Sequence, residues 1–188
     1  MVQIGLSDFH YAIQTDDPIG GSAAYENPVK VPGIISAGIN PNAALETLYA
    51  DDGPSEVATS LGNIEFTLSM KDLDLETQAA LLGHTVSNGV LIKKSTDVPP
   101  WVAVGFKSQK ANGKYRYVWL LKGKFAQPQT NYQTKGETVE FQPPEISATF
   151  AKRDSDNMWQ RIGDEDAPNW PAGLSDTWFT SPDESGGV

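Results

Sequence analysis

LGNIEFTLSMKDLDLETQAALLG, residues 61–83, carries two hydrophobic periods in succession. Ile64, Phe66, Leu68 and Met70 alternate with Asn63, Glu65, Thr67 and Ser69, behind Gly62. A period of two describes a strand with one buried and one polar face. Beyond Met70 the period changes. Asp72 and Asp74 are both able to cap a helix by accepting hydrogen bonds from first-turn amides. Glu76 suits the positive end of the helix dipole. Leu75, Ala79 and Leu82 fall at i, i+4 and i+7 on one face, and Gly83 is a fitting stop. A helix of two to three turns is too short to stand alone, because nucleation is costly. It must dock on a sheet, which the rest of the chain has to supply.

The 188 residues fit one domain with appendages and allow a sizeable core. An apolar share of 39% describes a folded chain, and 17 Gly with 13 Pro favour short strands and many turns over long helices. Without cysteine there is no disulfide or thiolate chemistry. The opening residues show neither a basic n-region nor an apolar h-region, so no secretory signal is expected. No apolar run approaches the roughly 18–20 residues of a membrane span. A net charge of −10 opposes nonspecific binding to phosphate backbones. It does not oppose a surface that lies near nucleic acid without sticking to it.

Phe9, Tyr11 and Ile13 alternate with polar neighbours as a first strand ending at Asp16-Asp17-Pro18. Residues 18–44, rich in Gly, Pro, Ala and Asn, form a long loop or extended arm, with a short strand near 29–35. Residues 45–50 are a short strand and Asp51-Asp52-Gly53-Pro54 a turn. After the helix, residues 84–89 turn and 90–93 form a short strand. WVAVGF (101–106) is strand-like, with a Gly that marks a bulge. Asn112-Gly113 is a hairpin signal, since both residues tolerate positive φ. KYRYVWLLKGKF (114–125) is the most β-prone run, with Tyr115, Tyr117, Trp119 and Leu121 on one face. PQTNYQTKG (128–136) is a polar connection, ETVEF (137–141) a further strand, and Ile146, Ala148 and Phe150 alternate in the last core strand. Residues 153–157 turn, and Met158-Trp159 returns to the core.

The organisation expected is a domain over 1–165 and a C-terminal arm or tail over 166–188. That tail carries Trp170, Leu174, Trp178 and Phe179. Burying such a side chain is worth about 2–3 kcal/mol, so they should be covered, either by their own domain or by a neighbouring subunit.

Chemistry is sparse. His10 and His84 lie far apart without a cysteine partner, which argues against a zinc site or a Cys–His pair. His84 follows the helix-ending Gly83, where a helix-terminal role is the plainer reading. No nucleophile elbow and no Gly-rich phosphate loop is present. Asp154-x-Asp156-Asn157 resembles the opening of a calcium loop but lacks its sixth-position Gly and closing Glu. A glycosidase built on a carboxylate pair needs two that face each other across a cleft, which spacing along a chain does not reveal. Tyr and Trp on a strand could stack on sugars, yet such a stripe also describes core. No catalytic, cofactor or metal residue is assigned.

LETLYADDGPSE (45–56), the strand–helix stretch 61–84, WVAVGF (101–106), WLLKGKFAQP (119–128) and FAKRDSDNMW (150–159), in this order, resemble the major tail protein family of long-tailed, non-contractile bacteriophages. The resemblance spans about 5–165. It implies a mainly β fold with one short helix: two packed antiparallel sheets, a partly barrel-like sandwich of the tail-tube type. It implies a structural virion protein, made in the host cytoplasm, whose hexameric rings stack into a tube that conducts DNA. The partners it implies are further copies of the chain, a tape-measure protein and tail-tip or tail-terminator proteins, with no cofactor and no membrane. On that reading Tyr49, Asp51, Asp52, Asn112, Gly113, Tyr132, Trp170, Trp178 and Phe179 are candidates for contacts between subunits or rings. The alternative is a β-sandwich module of a virion that binds carbohydrate or a receptor.

Overall fold

The computed structural model describes residues 2–50, 53–128 and 143–183, with the side chains of 44–50 and 53–59 left aside. The elements are β1 (Gln3–Asp16), β2 (Ala24–Tyr25), β3 (Val29–Val31), β4 (Ile34–Ala50), β5 (Gly53–Met70), α1 (Leu75–Leu82), β6 (Thr85–Ser87), β7 (Val90–Ile92), β8 (Val102–Lys110), β9 (Tyr115–Phe125), β10 (Glu145–Phe150), β11 (Gln160–Asp164) and α2 (Leu174–Thr177). One antiparallel sheet runs β2-β1-β8-β9-β10-β5-β4, with β3 beside β1 and β11 beside β9; β6 and β7 pair separately.

The large sheet folds back on itself at β9. Arg116–Leu120 of that strand pair with β11, whereas Gly123–Phe125 pair with β10. The Phe66 ring of β5 lies 6.4 Å from Phe106 of β8, although β9 and β10 stand between their strands in the sheet order. Only two layers packed face to face allow that contact. Ile64, Phe66, Leu68 and Met70 meet Phe9, Val104, Phe106, Leu120 and Phe150 in this main core, which α1 closes with Leu81 and Leu82. The expected two-layer antiparallel architecture is therefore present, with a second, four-residue helix near the C-terminus.

The face assignment along β9 depends on one extra residue. Val102 pairs with Gly123 but Val104 with Leu120, so three steps on β9 oppose two on β8. Such a bulge flips every later side chain to the other face. Tyr117, Trp119 and Leu121 lie on the outer face and Val118 and Leu120 in the core; past the bulge Phe125 faces the core and Lys122 the outside.

Several expectations are corrected. Residues 34–44 are not loop: β4 runs through Gly38 and Pro41 and pairs along its length with β5. Proline is tolerated there because β4 is an edge strand whose outer amides need no ladder partner. The short strand at 45–50 is the distal end of β4, and Gly53 and Pro54, expected in a turn, already belong to β5. α1 has the expected bounds and a left-handed Gly83 (φ 73°), but it buries Thr77, Leu81 and Leu82 and leaves Leu75 exposed; Asp74 caps through its backbone position without a side-chain bond. Gly105 does border a bulge, whose extra residue is Asp8 of β1 (φ 54°), and it also makes room for Trp119, whose ring would lie 2.7 Å from an added Cβ. β10 is the last strand to fill the main core, with Ile146, Ala148 and Phe150; β11 follows and pairs with β9 but buries no residue. The strand expected at 137–141 lies outside the described residues.

Candidate assembly surfaces

The candidate contact residues fall in three regions with different fates. The first is the β4–β5 hairpin, whose strands are 17 and 18 residues long. Its base is rooted in the core through Ile64, Phe66, Leu68 and Met70. From Asn40 to Ala43 and from Ser60 to Asn63 every residue is exposed, in both pleat directions. A strand pair wet on both faces has left the body. Asn40 and Asn42 donate to the Glu65 carboxylate at 3.4 and 3.3 Å, bracing the exit. Pairing continues to Ala50 opposite Gly53, so about nine residues, or roughly 30 Å, project. β4 ends the sheet, and among the described residues its ladder partner is β5 alone. Tyr49 is at the distal end of β4, opposite Pro54. Asp51, Asp52 and Tyr132 lie outside the described residues.

The second feature is the Asn112-Gly113 turn between β8 and β9. Gly113 takes a positive φ of 81°, and Asn112 Oδ1 accepts the Lys114 amide at 3.1 Å. The acidic run after β11 clamps this turn. Lys110 Nζ reaches Asp166 at 2.5 Å and Asp164 at 2.9 Å. Arg116 grips Asp164 through two bonds of 2.6 and 2.7 Å, and Glu165 accepts from the Tyr115 amide and Lys114. The Arg116 guanidinium, with Lys110, outweighs burial and holds the Asp164 carboxyl well below the usual carboxylate range. These cations are neutralised within the chain.

The third feature is the C-terminal segment, and its aromatics pack on their own subunit. Trp178 is buried against Ala103, Tyr117, Trp119 and Leu121 on the outer face of β8 and β9, with Trp170, Leu174 and Phe179 around it. The Trp119 indole N–H donates to the Trp178 carbonyl at 2.9 Å. Gly163 of β11 admits Trp170, whose ring would lie 2.5 Å from an added Cβ. His10 stacks on Phe179 with centroids 4.3 Å apart, and burial there lowers its pKa. Arg153, almost wholly buried, binds Asp183 at 2.6 Å together with Asp156, and burial pushes the neighbouring Tyr25 hydroxyl up to about 12. Gly105, Arg153 and Gly163 escaped sequence reading because their roles are set by partners remote in sequence.

The Tyr–Trp stripe of β9 is thus covered and does not face solvent as a sugar-stacking platform would. His84 is tied up at the end of α1, with Nδ1 2.7 Å from Asp97 and Nε2 beside the Gln127 amide. Among the described residues no helix is long and apolar enough to cross a membrane.

The two-layer β body thus leaves one long hairpin standing outside it. The phage tail tube protein family model matches residues 24–170, and the chain belongs to that family, whose members are structural proteins of the virion tail. Among solved structures it is similar to the tube-terminating cap of an anti-feeding prophage, at 13% identity and a TM-score of 0.43, over 87% of this chain and 94% of that one. No curated protein matches the chain.

Proposed function

We propose that this chain is the repeating subunit of the tail tube, closing into hexameric rings that stack around a lumen through which the genome leaves. The observation that carries the reading is the projecting β4–β5 hairpin with its one-sided edge strand. A hairpin standing alone in water is marginal, and a long open edge is a template for another chain. Both are resolved when neighbouring copies cover them. The net charge of −10 supports a conduit role, because an acidic wall lets phosphates pass without trapping them. A tape-measure protein within the tube and tip and terminator proteins at its ends are the further partners on this reading.

The test replaces residues 44–59 by an Asn-Gly turn and images wild type and variant by negative-stain electron microscopy after concentration. Wild type should give hollow tubes or six-fold rings. The variant, which keeps the buried base of the hairpin, should stay folded and dispersed. Tubes of normal abundance from the shortened protein would overturn the reading.

A further inference from the structure

Asparagine followed by glycine occurs twice, at Asn88-Gly89 and Asn112-Gly113, and both pairs lie exposed in hairpin turns. This dipeptide carries a latent reaction. The glycine amide nitrogen can attack the asparagine Cγ and close a five-membered ring, because glycine has no side chain to keep the two apart. Asparagine is a thermolabile residue for this reason. The two turns differ in what holds the reacting atoms.

At Asn112 every participant is engaged. The Gly113 amide donates to the Lys110 carbonyl at 3.0 Å. Asn112 Oδ1 accepts the Lys114 amide at 3.1 Å, and Nδ2 donates to Asp166 at 3.1 Å. Asp166 is itself fixed by Lys110 Nζ at 2.5 Å. Ring closure there has to open three hydrogen bonds and turn the carboxamide away from the acidic clamp. Asn88 is under no such restraint. With φ of 51° at Asn88 and 76° at Gly89, these residues are the central pair of a type I′ turn between β6 and β7. The ladder closes outside them, Ser87 opposite Val90, and leaves the Gly89 nitrogen out. Among the described residues, neither the Asn88 side chain nor the Gly89 amide has a hydrogen-bond partner.

We propose that Asn88 is a site of spontaneous deamidation, and that the Asp166 clamp spares Asn112 the same reaction. The Gly89 nitrogen gives up its proton and bonds to Asn88 Cγ; the Cγ–Nδ2 bond breaks, and ammonia leaves with that proton. Water then opens the succinimide. Addition at Cγ breaks the new bond and leaves aspartate in an ordinary peptide link. Addition at the main-chain carbonyl breaks the original peptide bond to Gly89 and leaves isoaspartate. One water enters, one ammonia departs, and nothing is oxidised or reduced. Isoaspartate carries the main chain through the former side chain, which lengthens the two-residue turn by a methylene. Among the described residues β6 and β7 pair only with each other, so the longer turn disturbs the register that the turn fixes. The reaction needs a single chain and is independent of the tube reading.

Peptide mass mapping of the full-length protein, held for weeks at mildly alkaline pH, tests site and guard together. Asn88 should convert to a mixture of aspartate and isoaspartate, faster as pH rises, because the nitrogen must lose its proton. Asn112 should convert at least roughly tenfold more slowly, as expected where several hydrogen bonds have to open together. In urea, with both turns unfolded, the two rates should converge. Asp166→Ala should speed Asn112 and leave Asn88 unchanged, whereas Asp166→Asn, which keeps an acceptor for the carboxamide, should leave Asn112 protected. An Asn88 that stays intact in the folded chain, or converts no faster than Asn112, would overturn the site. No acceleration in Asp166→Ala, or the same acceleration in Asp166→Asn, would overturn the guard.

Discussion

Replacing Trp178 by Ala measures how firmly the C-terminal segment is held on its own sheet. The side chain is 7% exposed, its ring centroid lies 5.7 Å from Tyr117 and 5.9 Å from Trp170, and Arg161 sits over it at 5.2 Å. Truncating a buried Trp to Ala costs about 3–5 kcal/mol. One term opposes this. The Trp178 indole nitrogen is buried without a hydrogen-bond partner, and removing such a group returns about 1 kcal/mol. The bond from Trp119 survives, because it ends on the Trp178 backbone carbonyl. The net expectation is a loss of about 2–4 kcal/mol. With a urea m-value of about 2 kcal/mol/M the unfolding midpoint should fall by roughly 1–2 M. Trp178→Phe keeps a ring on Tyr117 and deletes the orphaned N–H, so it should stay within about 1 kcal/mol of wild type. A Trp178→Ala protein as stable as wild type would refute the argument and show that the segment is not docked on β8 and β9 in solution.

Gly105→Ala should cost about 1–3 kcal/mol, because the new methyl would lie 2.7 Å from an indole that is anchored by its N–H; an unchanged melting temperature would contradict this. Acid stability should depend on Asp17. Burial raises its pKa, but Lys122 at 2.7 Å and the amides of Asp154 and Ser155 more than reverse this and hold it well below the carboxylate range. A depressed folded-state pKa gives stabilisation that is complete above about pH 4 and is lost as pH falls toward the folded value. Asp17→Asn should therefore be less stable at neutral pH and show a shallower decline on acidification, measured by urea unfolding across the range; the wild-type slope in the variant would count against the pair. Assembly should rise with salt toward 0.1 M, where a Debye length of about 10 Å relieves repulsion between copies of charge −10, and assembly that falls over that range would count against this.

What could be read without the structure follows from how local each determinant is. The alternation of Ile64 to Met70, the left-handed Gly83 behind α1, the Asn112-Gly113 turn and the Ile146–Ala148–Phe150 stripe depend on neighbours in the chain, and they stand as expected. The long β4 was hidden because Gly38, Pro41 and Asn42 have loop chemistry, and only pairing with β5 overrides it. The α1 face was misjudged for a similar reason. Leu75 fits the helical spacing, but docking depends on where Leu81 and Leu82 meet the sheet. The β9 stripe from Tyr115 to Leu121 was legible, whereas the flip before Phe125 needed the count of β8 residues opposite. Of the candidate contact residues, Tyr49 falls on the projecting hairpin, Asn112 and Gly113 on a clamped turn, and Trp170, Trp178 and Phe179 on the subunit's own outer face.

The pairing of charges within the chain bears on how identical copies avoid joining wrongly. Across the body, many cations are met by carboxylates of the same chain, β8 and β9 are covered on both faces, and the aromatic stripe lies under the C-terminal segment. Such a surface offers neighbours of the same sign mainly repulsion, and specificity then comes from the few places left unmatched. The β4 edge is one such place, and a contact made there between unlike patches closes into a ring where its rotation closes and runs on as a stack where it does not.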